Sequence, residues 1–535
     1  MGEQSSKNGF LMLTIAGILS KLLSVLYMPF LNSIIGMEGV GTYQQVYEVF
    51  TFVYALTGIG IQTAIAKYIA ELSAQGQEKD ALRAFNLARK YLFLIGVTVT
   101  LILMILSKPI SELIANPNIT YGLIALAPSI AITAMLSTYR GYYQGQNRMT
   151  SIAISQVVEQ FFNIAVSLIF AALLIKYGSA FGAAGGTIGT GAGALVATAL
   201  LLFSFIKNRL DRQARSRDIA GITVSRKEHL TVLLSYAFPI ILSNGMQNLG
   251  ALIDTTLISR RLQFSAGFDR KAATILYAQL GLYKQLYYVP LVIITALVTT
   301  VIPAISRNYV LKDRKAVKSN VRLSLRVTML VIIPCGFGLS VLCNEIYEVL
   351  HYQGASLMVT GAFVTIFMAI VQTQSAILQG TNEFYSVVKS LMIGIVLKIV
   401  CNYTLVGIKG INIYGAIIGG YVCFVFPMII NQRRINKHLN MKLSLVKMSL
   451  KPLISSIFMS MVIFVVRIPV YWIARKMHIR GVIAAFPLVI VIIAGVAAYF
   501  YAIVELRGIT KRDIDAMSPK LYRIIPKFFK KRIKA

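Results

Sequence analysis

Arg89-Lys90-Tyr91-Leu92-Phe93-Leu94-Ile95-Gly96-Val97-Thr98-Val99-Thr100-Leu101-Ile102-Leu103-Met104-Ile105-Leu106 sets two cations at the mouth of a run that holds no charge. About 20 apolar residues in a helix cross the hydrocarbon of a bilayer. Backbone groups in lipid must be satisfied within a helix or a closed barrel, and runs of this length are too long for barrel strands. The arrangement recurs along the chain, at approximately 10–35, 44–69, 90–107, 119–143, 152–175, 182–206, 229–258, 275–305, 324–343, 355–379, 386–406, 412–431, 449–473 and 481–504. The fold class is therefore an all-α integral membrane protein of about fourteen transmembrane helices.

The hinges between these runs alternate in charge. Lys67 to Lys90, Arg140 and Arg148, Lys207 to Lys227, Arg307 to Arg326, Lys389, Arg433 to Lys451 and Arg507 to Lys534 crowd one side, with Lys7 before them. Gly36 to Tyr43 and Asn344 to Gly354 carry no Lys or Arg, while Arg260 to Lys271 and Arg475 to Arg480 are local exceptions. Cationic loops stay on the cytoplasmic side during insertion, so both termini are expected in the cytoplasm of a multi-pass plasma-membrane protein. The first apolar stretch has no small-residue cleavage site and reads as an uncleaved span.

Composition excludes several classes. A hydrophobic fraction of 56% with 14% charged residues is far from the soluble norm of about 25% charged. The net charge of +33 lies in loops between apolar helices, where topology and anionic lipid headgroups account for it and no nucleic-acid partner is needed. Cys335, Cys343, Cys401 and Cys423 fall inside the helices and read as small buried side chains. His229, His351, His438 and His478 are scattered, so no metal site is implied.

Twelve of the spans read as two copies of a six-helix unit. Gln144-Gly145-Gln146-Asn147 recurs as Gln379-Gly380-Thr381-Asn382, Gly182-Ala183-Ala184-Gly185-Gly186 as Gly415-Ala416-Ile417-Ile418-Gly419-Gly420, and Leu19-Ser20 as Leu242-Ser243. Both copies start on the same side, which makes the repeat parallel about an axis along the membrane normal. The expected organisation is an N-lobe at 1–227, a C-lobe at 228–434, two extra helices within 435–504 and a basic tail at 505–535. In the tail Thr510 and Asp513 are spaced to cap a helix, and Leu521, Ile524, Phe528 and Phe529 alternate with Lys527, Lys530 and Lys531, as in a helix lying on acidic lipid.

An ionised group near the bilayer centre costs several kcal/mol unless it faces protein or water, so each one marks a candidate pathway. The candidates are Lys21, with Ser20 beside it, Glu48, Arg140, Glu159, Asp254, Lys284 with Gln285, and Lys398 with Asn402 four residues on. Cations on several helices suit an anionic cargo such as a phosphate or diphosphate. Structural alternatives stand beside each. Lys21 and Glu48 either snorkel to an interface or line a cavity. Arg140 either obeys the loop charge rule or binds cargo. Glu159 has Gln156 and Asn163 on its own helix face as partners. Asp254 and Lys398 either pair with each other or touch cargo. Lys284, amid Tyr283, Tyr287 and Tyr288, is the first choice for cargo contact.

By Ile18-Leu19-Ser20-Lys21-Leu22-Leu23, Arg140-Gly141-Tyr142-Tyr143-Gln144-Gly145, Ser155-Gln156-Val157-Val158-Glu159-Gln160, Leu252-Ile253-Asp254-Thr255 and Leu397-Lys398-Ile399-Val400-Cys401-Asn402, the chain resembles the multidrug/oligosaccharidyl-lipid/polysaccharide (MOP) exporter superfamily. Within it the resemblance is to the branch of stage V sporulation protein B and the MurJ-type lipid II flippases, over almost the whole chain. It implies a flippase that carries an undecaprenyl-diphosphate-linked sugar precursor to the outer leaflet by alternating access. No cofactor is implied, and the membrane potential or a cation gradient would drive it. Lys21 and eighth-span basic residues would take the diphosphate, and the two extra helices the lipid tail. Lysine at position 21 departs from the arginine of many such flippases and lacks bidentate phosphate recognition. Lys284 is displaced from the family's basic position near Pro290. The resemblance also lets Lys398 supply an internal positive charge where some relatives hold sodium.

The expected partners are a lipid-linked sugar diphosphate and anionic membrane lipids, with the protein a monomer. Rival readings are an exporter of another lipid-linked polysaccharide unit and a multidrug or cation-coupled exporter, whose cavity would be acidic. A membrane glycosyltransferase would need clustered carboxylates or a buried histidine. A purely structural scaffold leaves the intramembrane charges unexplained.

Overall fold

The structure is a computed structural model and describes residues 2–219, 221, 224–476, 485–511 and 513–514. All the regular elements among them are helices. In chain order they are α1 (Gly2–Tyr54), α2 (Gly60–Ala74), α3 (Glu78–Ile114), α4 (Ile119–Leu126), α5 (Pro128–Gly145), α6 (Met149–Leu174), α7 (Ser179–Lys207), α8 (Leu210–Arg217) and α9 (Arg226–Phe264). There follow α10 (Arg270–Val310), α11 (Arg314–Val341), α12 (Cys343–Val349), α13 (Ala355–Gly361), α14 (Val364–Gly380), α15 (Phe384–Leu405), α16 (Tyr414–His438), α17 (Leu445–Lys476) and α18 (Ala485–Glu505).

Among the described residues ten helical runs are long and apolar enough to cross a membrane, and an eleventh arises if α13 and α14, bent by 48°, act as one span. The expected count of about fourteen is consistent with this. The 53-residue run Leu22–Ala74 measures about 80 Å at 1.5 Å per residue, more than twice the hydrocarbon thickness of about 30 Å. It is broken at Gly36, whose φ of 68° and ψ of 174° belong to a region open essentially to glycine alone. That one residue divides the run into the two crossings expected at 10–35 and 44–69. Helices α9 and α10, with 39 and 41 residues, are also long enough to cross.

Contacts sort the chain into two compact units, Met1–Ala278 and Gln279–Ala535. In the first, Ile65, Ile69, Phe85, Tyr139, Tyr143, Leu201 and Leu233 form one apolar core and Val46, Phe50, Ile114, Leu123 and Ile130 another. In the second, Ile305, Val321, Leu325, Ile377 and Ile435 pack together, and Met459, Ile463, Leu488 and Val491 join α17 to α18. Cys343 and Cys423 are buried as expected, but Cys335 and Cys401 are only half-buried. A thiol is apolar enough for a helix face that is not sealed by protein.

Inside each unit helices approach closely through small residues. A methyl group on Gly185, Gly189 or Gly193 of α7 would overlap the carbonyl oxygen of Phe170, Asn163 or Glu159 on α6. In the second unit Gly394 of α15 abuts the Cys423 carbonyl, and Gly415 and Gly419 of α16 abut Leu405 and Asn402. Helices in lipid associate through such contacts because apolar side chains gain nothing by leaving it.

The repeated Gln-Gly-x-Asn segments take one geometry. Asn147 and Asn382 sit in the left-handed region at φ 56° and 62°. Asn147 N–H donates to Gln144 O at 3.0 Å and Arg148 N–H to Tyr143 O at 2.8 Å. In the other copy Asn382 N–H donates to Gln379 O at 3.1 Å and Glu383 N–H to Leu378 O at 2.8 Å. Each closes its helix by satisfying the last carbonyls and reverses the chain into α6 or α15.

The linker after α8 is fastened to the first unit. Asp218 accepts hydrogen bonds from Lys79 N–H at 3.0 Å and Gly221 N–H at 2.9 Å, and the Lys79 ammonium lies 3.3 Å away. Those donors hold the Asp218 carboxyl below the usual carboxylate range. Val224 N–H donates to Asp80, whose buried carboxylate also faces His229 Nε2 at 3.4 Å, and Tyr68 Oη meets His229 Nδ1 at 2.9 Å.

After α18 the chain folds back. Arg326 pairs with Asp513 at 3.1 Å and donates to Gly508 O, Lys451 donates to Arg507 O, and Thr510 and Asp513 cap each other. The cap expected at Thr510 and Asp513 is present. The amphipathic pattern of 521–533 lies outside the described residues.

Candidate functional site

Helix α5 carries Arg140 and α6 carries Ser155 and Glu159, and the turn at Asn147 folds the two antiparallel so that these side chains meet. Arg140 is only 8% exposed. Its Nη2 donates to Glu159 Oε2 at 2.6 Å and its Nε to Ser155 Oγ at 3.1 Å, while Ser155 Oγ donates in turn to Ile152 O at 2.7 Å. A guanidinium in a dry bundle is tolerable only with a carboxylate and further acceptors around it.

The sequence offered Gln156 and Asn163 as partners of Glu159, and the structure corrects this. Among the described residues the donor to the Glu159 carboxylate is Arg140, and neither Gln156 nor Asn163 donates to it; Asn163 Oδ1 accepts from Ser167 Oγ at 3.2 Å. Helix-face spacing favours local partners, but the strongest donor arrives from the preceding helix. Ser155 is a site residue that the sequence alone does not single out. Its signal is small size at a 0% exposed position beside a cation.

An aromatic ladder on α1 runs through Tyr43, Tyr47, Phe50 and Tyr54, with successive ring centroids 4.5, 6.0 and 5.8 Å apart. Tyr47 bonds Thr190 on α7. Glu48 is half-buried on the same helix. Ser20 is half-buried, with its hydroxyl unpartnered among the described residues. Lys21 lies on α1, and its side chain is outside the described residues.

Asp254 is 2% exposed on α9. One residue on, Thr255 bonds Tyr277 at 2.7 Å, and farther along Ser259 accepts from Gln45 at 2.8 Å, whose Oε1 accepts from Asn116 at 2.6 Å. In the second unit Lys284 and Gln285 are half-buried on α10. They sit beside Tyr283, which donates to Gly361 O at 2.9 Å, and beside the packed pair Tyr287–Tyr288. Lys398 is half-buried and Asn402 buried, and both lie against Gly419 of α16, so the expected shared face is present. The structure thus bonds Arg140 to Glu159 and sets Lys398 and Asn402 on one face of α15 against α16. No group of acidic, histidine or cysteine side chains among the described residues is arranged to hold a metal ion.

These features define a class, a polytopic all-helical membrane protein with a partly buried ion pair in one of its bundles. A family model described as "Polysaccharide biosynthesis protein" matches residues 6–309. The chain belongs to that family. It is 26% identical over 449 residues to stage V sporulation protein B of Bacillus subtilis (strain 168), covering 82% of this chain and 85% of that protein. It is 24% identical over 481 residues to lipid II flippase MurJ of the same organism, covering 86% and 88%. A solved structure of lipid II flippase MurJ in an inward closed conformation superposes with a TM-score of 0.66 at 16% identity, over 92% of this chain and 98% of that one. The fold is that of the MOP superfamily, as the sequence resemblance implied.

Proposed function

We propose that the chain is a transporter, not an enzyme, that moves an undecaprenyl-diphosphate-linked cell-wall precursor, lipid II as first choice, from the cytoplasmic to the outer leaflet by alternating access. The observation that carries this reading is the length of the likeness to stage V sporulation protein B and MurJ, which extends over more than four-fifths of the chain. The cationic residues of α1, α5, α10 and α15 support it, because lysine and arginine among apolar helices suit a diphosphate headgroup better than the cationic drugs of a multidrug exporter. The alternation of basic loops supports cytoplasmic termini. A leaflet-accessibility assay tests it, with labelled lipid II in cells depleted of their native flippase and expressing this chain. Lipid II reaching the outer face is the expected result. Precursor retained inside, with the protein correctly inserted, rejects lipid II as cargo, and repeating the assay with other lipid-linked sugar units separates the polysaccharide reading.

A further inference from the structure

We infer that Glu159 is a resident counter-anion, a carboxylate that holds Arg140 until a cargo phosphate takes its place. The inference rests on the lipid-diphosphate reading and specifies how one of its cations would be used. The two partners of the pair are not equally held. The Arg140 side chain is 9% exposed and that of Glu159 25%. Arg140 is also fixed independently of Glu159, since Ser155 accepts from its Nε and is itself tied to the Ile152 carbonyl. Among the described residues the Glu159 carboxylate hydrogen-bonds Arg140 alone, and its backbone is pressed against Gly193 of α7. Its side chain can therefore swing while its main chain stays in place. A carboxylate and a phosphate oxygen present the same acceptor to a guanidinium fork, so an anion arriving at this face competes for the Nη2 donor with no rebuilding of the arginine. Exchange of one anion for another keeps the buried charge compensated throughout, whereas a bare arginine would leave it unpaired.

The test is equilibrium binding of farnesyl diphosphate to the full chain in nanodiscs of neutral lipid, with farnesol as the uncharged control. Glu159→Gln removes the competing charge but keeps an acceptor for Arg140, and is expected to bind the diphosphate about tenfold more tightly than the wild type with farnesol binding unchanged. Adding Arg140→Lys to that variant is expected to abolish the gain. If Glu159→Gln fails to fold, Glu159→Asp, which keeps the charge and shortens its reach, is expected to show a smaller gain. An affinity within twofold of wild type in a folded variant overturns the inference and leaves the pair a structural strut. Because the probe is not lipid II, the two readings fail separately. A tighter Glu159→Gln variant in a protein that leaves lipid II inside keeps the exchange and rejects the cargo, and the reverse pattern rejects the exchange alone.

Discussion

The segment from α5 to α7 and its repeat from α14 to α16 share a turn and a packing device, yet they differ in what they enclose. Both close the first helix with an asparagine in the left-handed region, both place a buried serine in the first turns of the next helix, Ser155 and Ser390, and both press that helix onto glycines. Ser155 and Ser390 each turn back to the carbonyl three residues earlier. The first copy then holds the Arg140–Glu159 pair. In the second, Ser375 and Gly394 stand at the corresponding places and the polar groups lie farther along, Lys398 about one turn and Asn402 about two turns on. The two segments share packing geometry and differ in charge, so the scaffold and the site are separable.

Four comparisons probe that separation. The largest effect is expected from Arg140→Gln, which strands a partly buried carboxylate and should cost about 3 kcal/mol, read as a fall in thermal unfolding temperature. Arg140→Gln with Glu159→Gln should recover most of it, and Ser375→Ala in the second copy should do almost nothing. Next comes close packing. Gly189→Ala drives a methyl group against the fixed Asn163 carbonyl and should cost about 1–3 kcal/mol. Gly419→Ala meets the end of the Asn402 side chain, which can turn aside, and should cost less than about 1 kcal/mol. Equal losses would show that both helix pairs are equally rigid.

Third, Asn147→Ala and Asn382→Ala should each lose about 1 kcal/mol, while glycine at either place should be neutral. Unequal losses in chemical unfolding would break the equivalence of the two turns.

The smallest effect is a pH dependence confined to the second copy. The Arg434 guanidinium, and then Ser386, hold the Glu383 carboxyl below the usual range. Its contribution is present above the unfolded-state value of about 4.3 and is lost as pH falls through the lower folded-state value. Glu383→Gln should flatten the acid limb of a stability–pH curve by less than about 1 kcal/mol, because Arg434 is well exposed. Arg148, the residue at the same place in the first copy, offers no such limb.

Much of this architecture was legible in the residues themselves. Twenty-residue apolar runs admit little but helices in lipid, and Gln-Gly-x-Asn marks a helix end because few residues other than glycine and asparagine enter the left-handed region readily. Side-chain partnership was less legible. Arg140 and Glu159 are 19 positions apart on different helices, and the register that brings them together depends on the intervening turn. Asp80, Tyr68 and His229 were harder still. His229 read as one of several scattered histidines, yet it is fully buried against groups about 150 positions away in sequence. Periodicity reports which face of a helix is apolar, and carries no information about which neighbour that face meets.

The torsion at Gly36 has a reach beyond its own turn. A stiff rod through that point would subtract one crossing from the tally, and every later segment would then emerge on the opposite side of the bilayer. The handedness of a single peptide unit near the start of the chain thus acts as a parity bit for the topology of the five hundred residues that follow it.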